Sequence, residues 1–183
     1  MSFKKEAAIL ATLKHPNIIQ LFCCTTDANS CSLAMELMST DVRKLMDERM
    51  PDPDYVAFYL PVAFYIMLQV AMGLMNMHER QVGHWDIKSS NLLVKPTSVP
   101  ELAEVGYVDV KLVDFQFAKV KLMSSRGTNQ SIDNLGRTPY RAPELYTQEE
   151  EEIAKENYPL KADVYSYEIT CAEILTGHSI SIY

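Results

Sequence analysis

The sequence has little of what marks a secreted, metal-binding or nucleic-acid-binding protein. It has only 4 cysteines and 4 histidines among 183 residues, with no CxxC pair and no cluster of the two types. A disulfide scaffold or a structural zinc site is therefore not expected. Positive charge is also scarce, since 17 Lys and Arg face 24 Asp and Glu for a net charge of −7. This balance argues against a nucleic-acid partner.

The sequence also shows no apolar signal region near its Lys-rich start, and reduced thiols suit a cytoplasmic protein, which is the location we expect. One uncharged run, residues 55–77, has about the length that a bilayer needs. Pro61, Gln69, Gly73 and Asn76 interrupt it, and its flanks show little Lys/Arg asymmetry. We expect a helix buried in a core rather than a membrane span.

The composition, 48% hydrophobic and 22% charged, is typical of one globular unit. Hydrophobic periodicity and turn residues predict its elements. We expect helices at residues 3–14, 41–49, 62–78 and 161–175, strands at 18–24 and 32–37, a hairpin from 92–94 and 108–113, and a long loop over 115–141.

Polar side chains gather around the predicted hairpin. Asp86, Lys88 and Asn91 lie in a loop just before its first strand, and Asp114 follows its second strand. The open end of the hairpin would bring Asn91 and Asp114 together, and their side-chain oxygens are hard ligands suited to Mg²⁺. Asp86 and Lys88 could then flank a phosphoryl group in transfer. Each residue taken singly is weak evidence, because a loop Asp is usually a turn or cap residue.

The order of the motifs resembles the eukaryotic Ser/Thr protein kinase domain. Residues 84–91 (HWDIKSSN) resemble the catalytic loop H-R-D-x-K-x-x-N, residues 114–116 (DFQ) resemble D-F-G, and residues 142–144 (APE) match A-P-E. Residues 6–18 are similar to the αC helix and its exit, and residues 34–38 to the hinge. Lys88 is the choice of the Ser/Thr type. The resemblance covers nearly the whole chain.

The resemblance implies an α+β protein-kinase-like fold. Residues 1–38 would be part of the small β lobe, and residues 39–183 part of the mostly helical large lobe. The implied activity is transfer of the ATP γ-phosphate to Ser/Thr hydroxyls of a protein substrate, with ATP and Mg²⁺ as cofactors.

The same resemblance implies roles for the loop residues. Asp86 falls on the catalytic base, and Lys88 on the residue that contacts the γ-phosphate. Asn91 and Asp114 fall on the magnesium ligands.

The resemblance also implies a nucleotide site. Glu6 falls on the αC glutamate that pairs with a strand lysine. Met35 resembles the gatekeeper, Glu36 and Met38 the adenine-contacting hinge, and Leu93 the apolar floor under adenine. A stacked column that joins the lobes would comprise Leu10, Leu21, His84 and Phe115, with Asp163 as its anchor.

The chain departs from the family at several places. No Gly-rich loop and no V-A-I-K strand precede Glu6, so we expect the first strands of the small lobe, and likewise the last helices, to lie outside this chain. Glu144 would then be a buried carboxylate without its usual arginine. Residues 95–109 form a longer loop than usual.

Four substitutions concern the support of the site. Trp85 replaces the Arg that reads a loop phosphate, so we expect that switch to be lost and alanine at Ser124, Ser125, Thr128, Ser131 or Thr138 to change activity little. Gln116 stands where the family has a glycine, and a residue with a Cβ adopts a positive φ less readily than glycine does. Arg137 stands at a usual Thr position. Glu168 replaces a small residue in a buried helix, where an unpaired charge is unfavourable.

Three interpretations stay open at this point. The first is a Ser/Thr kinase, represented here by part of its domain. The second is a pseudokinase-like module that binds a protein partner over its open lobe faces. The third is a truncated fragment that does not fold alone.

Overall fold

The structure is a computed structural model that describes residues 2–26, 31–50, 56–120, 139–145 and 160–180. It is an α+β fold of five helices and seven short strands in these residues. In chain order they are α1 (Ser2–Thr12), β1 (Leu21–Thr26), β2 (Cys31–Met35), β3 (Thr40–Asp41), α2 (Val42–Arg49), α3 (Leu60–Glu79), β4 (Val82–Gly83), β5 (Leu92–Pro96), α4 (Pro100–Glu104), β6 (Val108–Leu112), β7 (Lys119–Val120) and α5 (Lys161–Thr176). Two single-turn 3₁₀ helices span Ser89–Asn91 and Pro143–Leu145.

The N-terminal elements pack as helix on hairpin. β1 and β2 are antiparallel, with Leu21 opposite Met35. Helix α1 buries Leu10, which is 2% exposed, in the common core. The chain after α1 joins the larger part of the fold, because the N–H of Ile19 donates to the carbonyl of Leu112 at 3.0 Å. The predicted division at residue 38 stays a prediction.

Helix α3 is the central helix of the core. Its buried face includes Val62, Ile66, Val70 and Met77, and Pro61 lies in the first turn, where its missing N–H costs no helical bond. By length and composition alone, α3 is the one helix in the described segments that could cross a membrane, and half of its 18-residue window is buried. Packing in a core accounts for that buried half.

The predicted hairpin is present. β5 and β6 are antiparallel, with Leu92 opposite Leu112, and β3 adds a third strand alongside β5. The loop between β5 and β6 holds α4, which periodicity did not predict because five residues are too few to show a helical repeat. Similarly, β7 falls inside the predicted long loop, where it pairs with β4.

Helix α5 ends as expected at Gly177, whose φ of 75° suits a left-handed cap. The expectation that Glu168 is buried is wrong, because its side chain is exposed on this helix. The buried carboxylates of α5 are Asp163 and Glu173, both 0% exposed. The concern about an unpaired buried charge on this helix was therefore attached to the wrong residue.

Candidate active site

The loop between β4 and β5 is fixed by one buried carboxylate. Asp163 accepts the backbone N–H of His84 at 2.8 Å and that of Trp85 at 2.7 Å. Its Oδ2 also lies 2.9 Å from Nε2 of His78 at the end of α3. A buried charge is tolerated when donors surround it, so the first turn of α5 and the end of α3 together position the loop.

His84 connects this loop to the strand that precedes Asp114. The ring is 0% exposed, and its Nε2 lies 3.1 Å from the carbonyl of Val113. Burial lowers the pKa of His84. The ring is therefore neutral, with Nε2–H donating to Val113 and Nδ1 accepting the N–H of Asp86 at 3.3 Å. Phe115 packs on the ring with centroids 4.9 Å apart.

Three of the residues that the sequence singled out form one polar cluster. Nζ of Lys88 lies 3.0 and 2.8 Å from the two carboxylate oxygens of Asp86. Nδ2 of Asn91 donates to Oδ2 of Asp86 at 2.8 Å and to its backbone carbonyl at 2.8 Å. These contacts hold the carboxylate of Asp86 in one orientation.

Asn91 lies at the open end of the β5–β6 hairpin, beside the residue that precedes Asp114. The N–H of Val113, which precedes Asp114, donates to the carbonyl of Asn91 at 3.1 Å. Because Nδ2 of Asn91 is used by Asp86, its Oδ1 is the atom left for a cation. The carboxylate of Asp114 has only a long contact, 3.5 Å, from the N–H of Gln116 among its described bonds. These oxygens suit Mg²⁺.

The metal fit depends on few protein ligands. The described residues include no group of three or more His, Cys, Asp or Glu side chains that could hold an ion. Magnesium commonly takes one or two protein oxygens and completes its shell with water and phosphate, so a two-residue site is consistent with this ion.

The expected conflict at Gln116 does not occur. The positive φ near this motif is 68° at Asp114, and Gln116 is not among the residues with positive φ. Position 116 therefore does not need the conformational freedom of a glycine. Asp tolerates the left-handed region better than most residues.

Glu6 on α1 contacts the backbone of the residue that follows Asp114. It is 6% exposed, and its Oε1 accepts the N–H of Phe115 at 3.2 Å. Burial raises the pKa of Glu6, and the charge of Asp114 adds to this, although the Phe115 hydrogen bond acts in the opposite direction. The contact couples α1 to the segment that carries Asp114.

The residues assigned to the hinge contact β6 and the core. Glu36 directs its carboxylate to Nζ of Lys111 at 2.7 Å and to the N–H of Gln20 at 2.8 Å. Its neighbours Met35 and Met38 are half-buried against the core, as is Leu93 on β5. The adenine contacts assigned to these residues stay predictions.

One charged network was missed by the sequence analysis. The buried Glu173 lies 2.9 Å from Nη1 of Arg43 on α2 and accepts the hydroxyl of Tyr140 at 2.7 Å. Burial raises the pKa of Tyr140, and the bond to Glu173 adds to this. Ser166 donates to the carbonyl of Tyr140 at 2.6 Å. Nothing in the sequence signalled it, because charged residues in helices usually lie on a solvated face.

Trp85 adopts a φ of 69° and places its indole against Lys119, whose Nζ is 3.8 Å from the ring centroid. The indole also packs on the cluster of Ala142, Leu145 and Ala162.

The remaining departures have mixed outcomes. Glu144 is only half-buried, so the expected fully buried carboxylate is not present. Arg137 lies outside the described residues, and so do Ser124, Ser125, Thr128, Ser131 and Thr138.

A carboxylate held by a lysine and an amide, near two side-chain oxygens suited to a cation, is typical of a phosphoryl-transfer site. The chain belongs to the protein kinase domain family, whose model matches residues 1–182.

Relatives agree with this family. The chain is 41% identical to a light-sensor protein kinase of Ceratodon purpureus over 96% of its own length and 14% of the relative's. It is 29% identical to a probable serine/threonine-protein kinase of Dictyostelium discoideum and 27% identical to a serine/threonine-protein kinase of Arabidopsis thaliana, again over 96% of its length. It spans only 12% and 26% of those two relatives.

Proposed function

We propose that this chain is part of a Ser/Thr protein kinase that transfers the γ-phosphate of ATP to Ser and Thr hydroxyls of a protein substrate. The observation that carries the proposal is the carboxylate of Asp86 held by Lys88 and Asn91. Asp114 follows Val113, whose N–H bonds the carbonyl of Asn91 at the hairpin end. The names of the relatives support the Ser/Thr class.

In this function Asp86 accepts the proton of the substrate hydroxyl. Asn91 orients the carboxylate through its 2.8 Å bond, and the fixed orientation keeps the accepting oxygen in place. Lys88 lies within 3.0 Å of both oxygens and can offset negative charge that develops on the phosphoryl group. Asn91 Oδ1 and Asp114 would hold Mg²⁺, which neutralises phosphate charge when it is bound.

We assign the adenine of ATP to the hinge. The side chain of Glu36 is turned to Lys111, so we assign the contact with the base to the backbone of Glu36 and Met38. Leu93 and Met35 would supply apolar contact.

A second candidate, a protein-binding module, is favoured by one surface. Helix α3 exposes an apolar stripe at intervals of three and four residues, consisting of Leu60, Phe64, Leu68, Met72 and Met75, which are 39–61% exposed. Exposed apolar patches of this kind mark contacts with other chains or segments. A partner that covers this face belongs to this proposal as well, and so does a cytoplasmic location, which suits the exposed thiol of Cys23.

Nucleotide binding separates the candidates. Isothermal titration of the chain with ATP should show binding with Mg²⁺ that weakens by about tenfold or more without it, and the Asp114→Asn variant should lose this dependence. Asp109→Asn on β6 is the matched control and should bind as the native chain does. Absence of ATP binding by a chain that melts cooperatively would favour the binding module, and absence of a cooperative melt would favour a fragment that does not fold alone.

A further inference from the structure

Trp85 is the residue on which several separate parts of the fold converge. Its backbone N–H is held by Asp163 at 2.7 Å, which fixes the residue next to Asp86. One face of its indole meets the ammonium of Lys119 at 3.8 Å. The ring also packs on the cluster that contains Ala142 and Leu145.

The positions of these contacts in the chain give them their meaning. Lys119 lies on β7, at the end of the described stretch 56–120, and Ala142 lies in the next described stretch, 139–145. The described stretches that precede and follow residues 121–138 therefore meet on one side chain of the catalytic loop. The pairing of Gly83 with Lys119 between β4 and β7 fixes the first of these stretches independently of the ring.

We propose that Trp85 is a positioning residue that clamps β7 and the 142–145 turn to the catalytic loop through a cation–π contact and apolar packing, so that no phosphate group is needed for this connection. A guanidinium at position 85 would attract an anion, whereas the face of an indole attracts a cation, which Lys119 already provides. With tryptophan at position 85, this position therefore attracts a positive charge rather than a negative one.

The inference rests on the proposed function only in its kinetic consequence. The backbone of Trp85 leads directly into Asp86, so a loosened indole displaces the carboxylate that accepts the proton. We therefore expect a weakened clamp to lower kcat more than it raises the KM for ATP.

The clamp can be tested without any activity, because Trp85 is the only tryptophan in the chain. Acrylamide quenching of its fluorescence should increase about two- to fivefold in Lys119→Met, because an ordinary cation–π contact contributes about 0.5–1 kcal/mol. The quenching should return to near the native value in Lys119→Arg. Lys44→Met is the matched control, since this lysine is 73% exposed on α2 and should leave the quenching unchanged.

Phosphate independence and kinetics complete the test. Phosphatase treatment of the protein expressed in a eukaryotic host should leave both quenching and kcat unchanged, and Lys119→Met should lower kcat by about two- to fivefold. The proposal is overturned if Lys119→Met and Lys119→Arg quench alike, or if phosphatase increases the quenching of the native protein. If the native protein transfers no phosphate, the proposed function fails, while the quenching still decides the clamp.

Discussion

Breaking the buried pair of Arg43 and Glu173 is expected to be among the most destabilising single changes in this chain. Glu173 is 0% exposed and has two described donors, Arg43 at 2.9 Å and Tyr140 at 2.7 Å. Burial alone would lower the pKa of Arg43, but its hydrogen bonds to Asp47 and Glu173 outweigh this and raise it. The guanidinium also donates to the carbonyl of Gly177 at 2.9 Å.

The magnitude follows from this geometry. Removing one partner of a buried ion pair typically costs about 3–5 kcal/mol, because the other charge stays buried and uncompensated. The side chain of Arg43 is 20% exposed and Tyr140 remains, so water and one donor can partly compensate. We therefore expect Arg43→Met to lower the free energy of unfolding by about 3 kcal/mol, a large part of a typical total of about 5–15 kcal/mol.

A double variant separates the charge effect from lost packing. Arg43→Met combined with Glu173→Leu removes both charges and should recover at least half of the loss, since an apolar pair of similar volume leaves no buried charge. Urea unfolding followed by far-ultraviolet circular dichroism measures the differences. Arg80→Met is the control and should cost less than about 0.5 kcal/mol, because Arg80 is exposed. A loss below about 1 kcal/mol in Arg43→Met, or a double variant no more stable than the single one, would refute the reasoning.

Other predictions concern Glu6 and two glycines. Burial raises the pKa of Glu6 above its unfolded value, so the folded chain binds this proton more tightly and loses stability as pH rises through the folded pKa. Glu6→Gln should remove that loss, and thermal melts at pH 5 and pH 8 that show the same pH dependence in both proteins would contradict it. Gly73→Ala should cost about 1–3 kcal/mol, because its Cβ would lie 2.8 Å from Leu112 Cδ1 and 2.9 Å from the Asn17 carbonyl; an unchanged urea midpoint would contradict this. Gly177→Ala should cost about 1 kcal/mol or more, because its φ of 75° strains an L residue and the added Cβ would overlap Sδ of Met50; a melt equal to the native one would contradict this.

The parts of the fold that could be predicted are those with a strong local signal. Helices α3 and α5 have long apolar periodicity, and β5 and β6 are apolar runs on either side of a polar loop, so their ends were placed within two residues. Helix α4 and the short strands β3, β4 and β7 were missed, because two to five residues carry no period and the pairing of the strands depends on partners distant in the chain.

In the candidate site, too, the residues close together in the sequence could be predicted and the long-range contacts could not. Asp86, Lys88 and Asn91 lie within six residues, so their spacing alone indicated that they could act together. The contact of Arg43 with Glu173 joins residues 130 positions apart and could not be predicted from periodicity. Likewise, the exposure of Glu168 and the burial of Glu173 depend on which face of α5 meets α2 and Tyr140, which only the packed fold determines.

The central claim is that the carboxylate of Asp86 accepts the proton in phosphoryl transfer. The most direct test is the steady-state rate of phosphate transfer from ATP to a protein substrate by the full natural protein, compared with Asp86→Asn and the control Asp109→Asn. We predict that Asp86→Asn lowers kcat by about 10²–10⁴-fold with little change in the KM for ATP, and that Asp109→Asn stays within about twofold of the native rate. A native rate retained by Asp86→Asn would contradict the account.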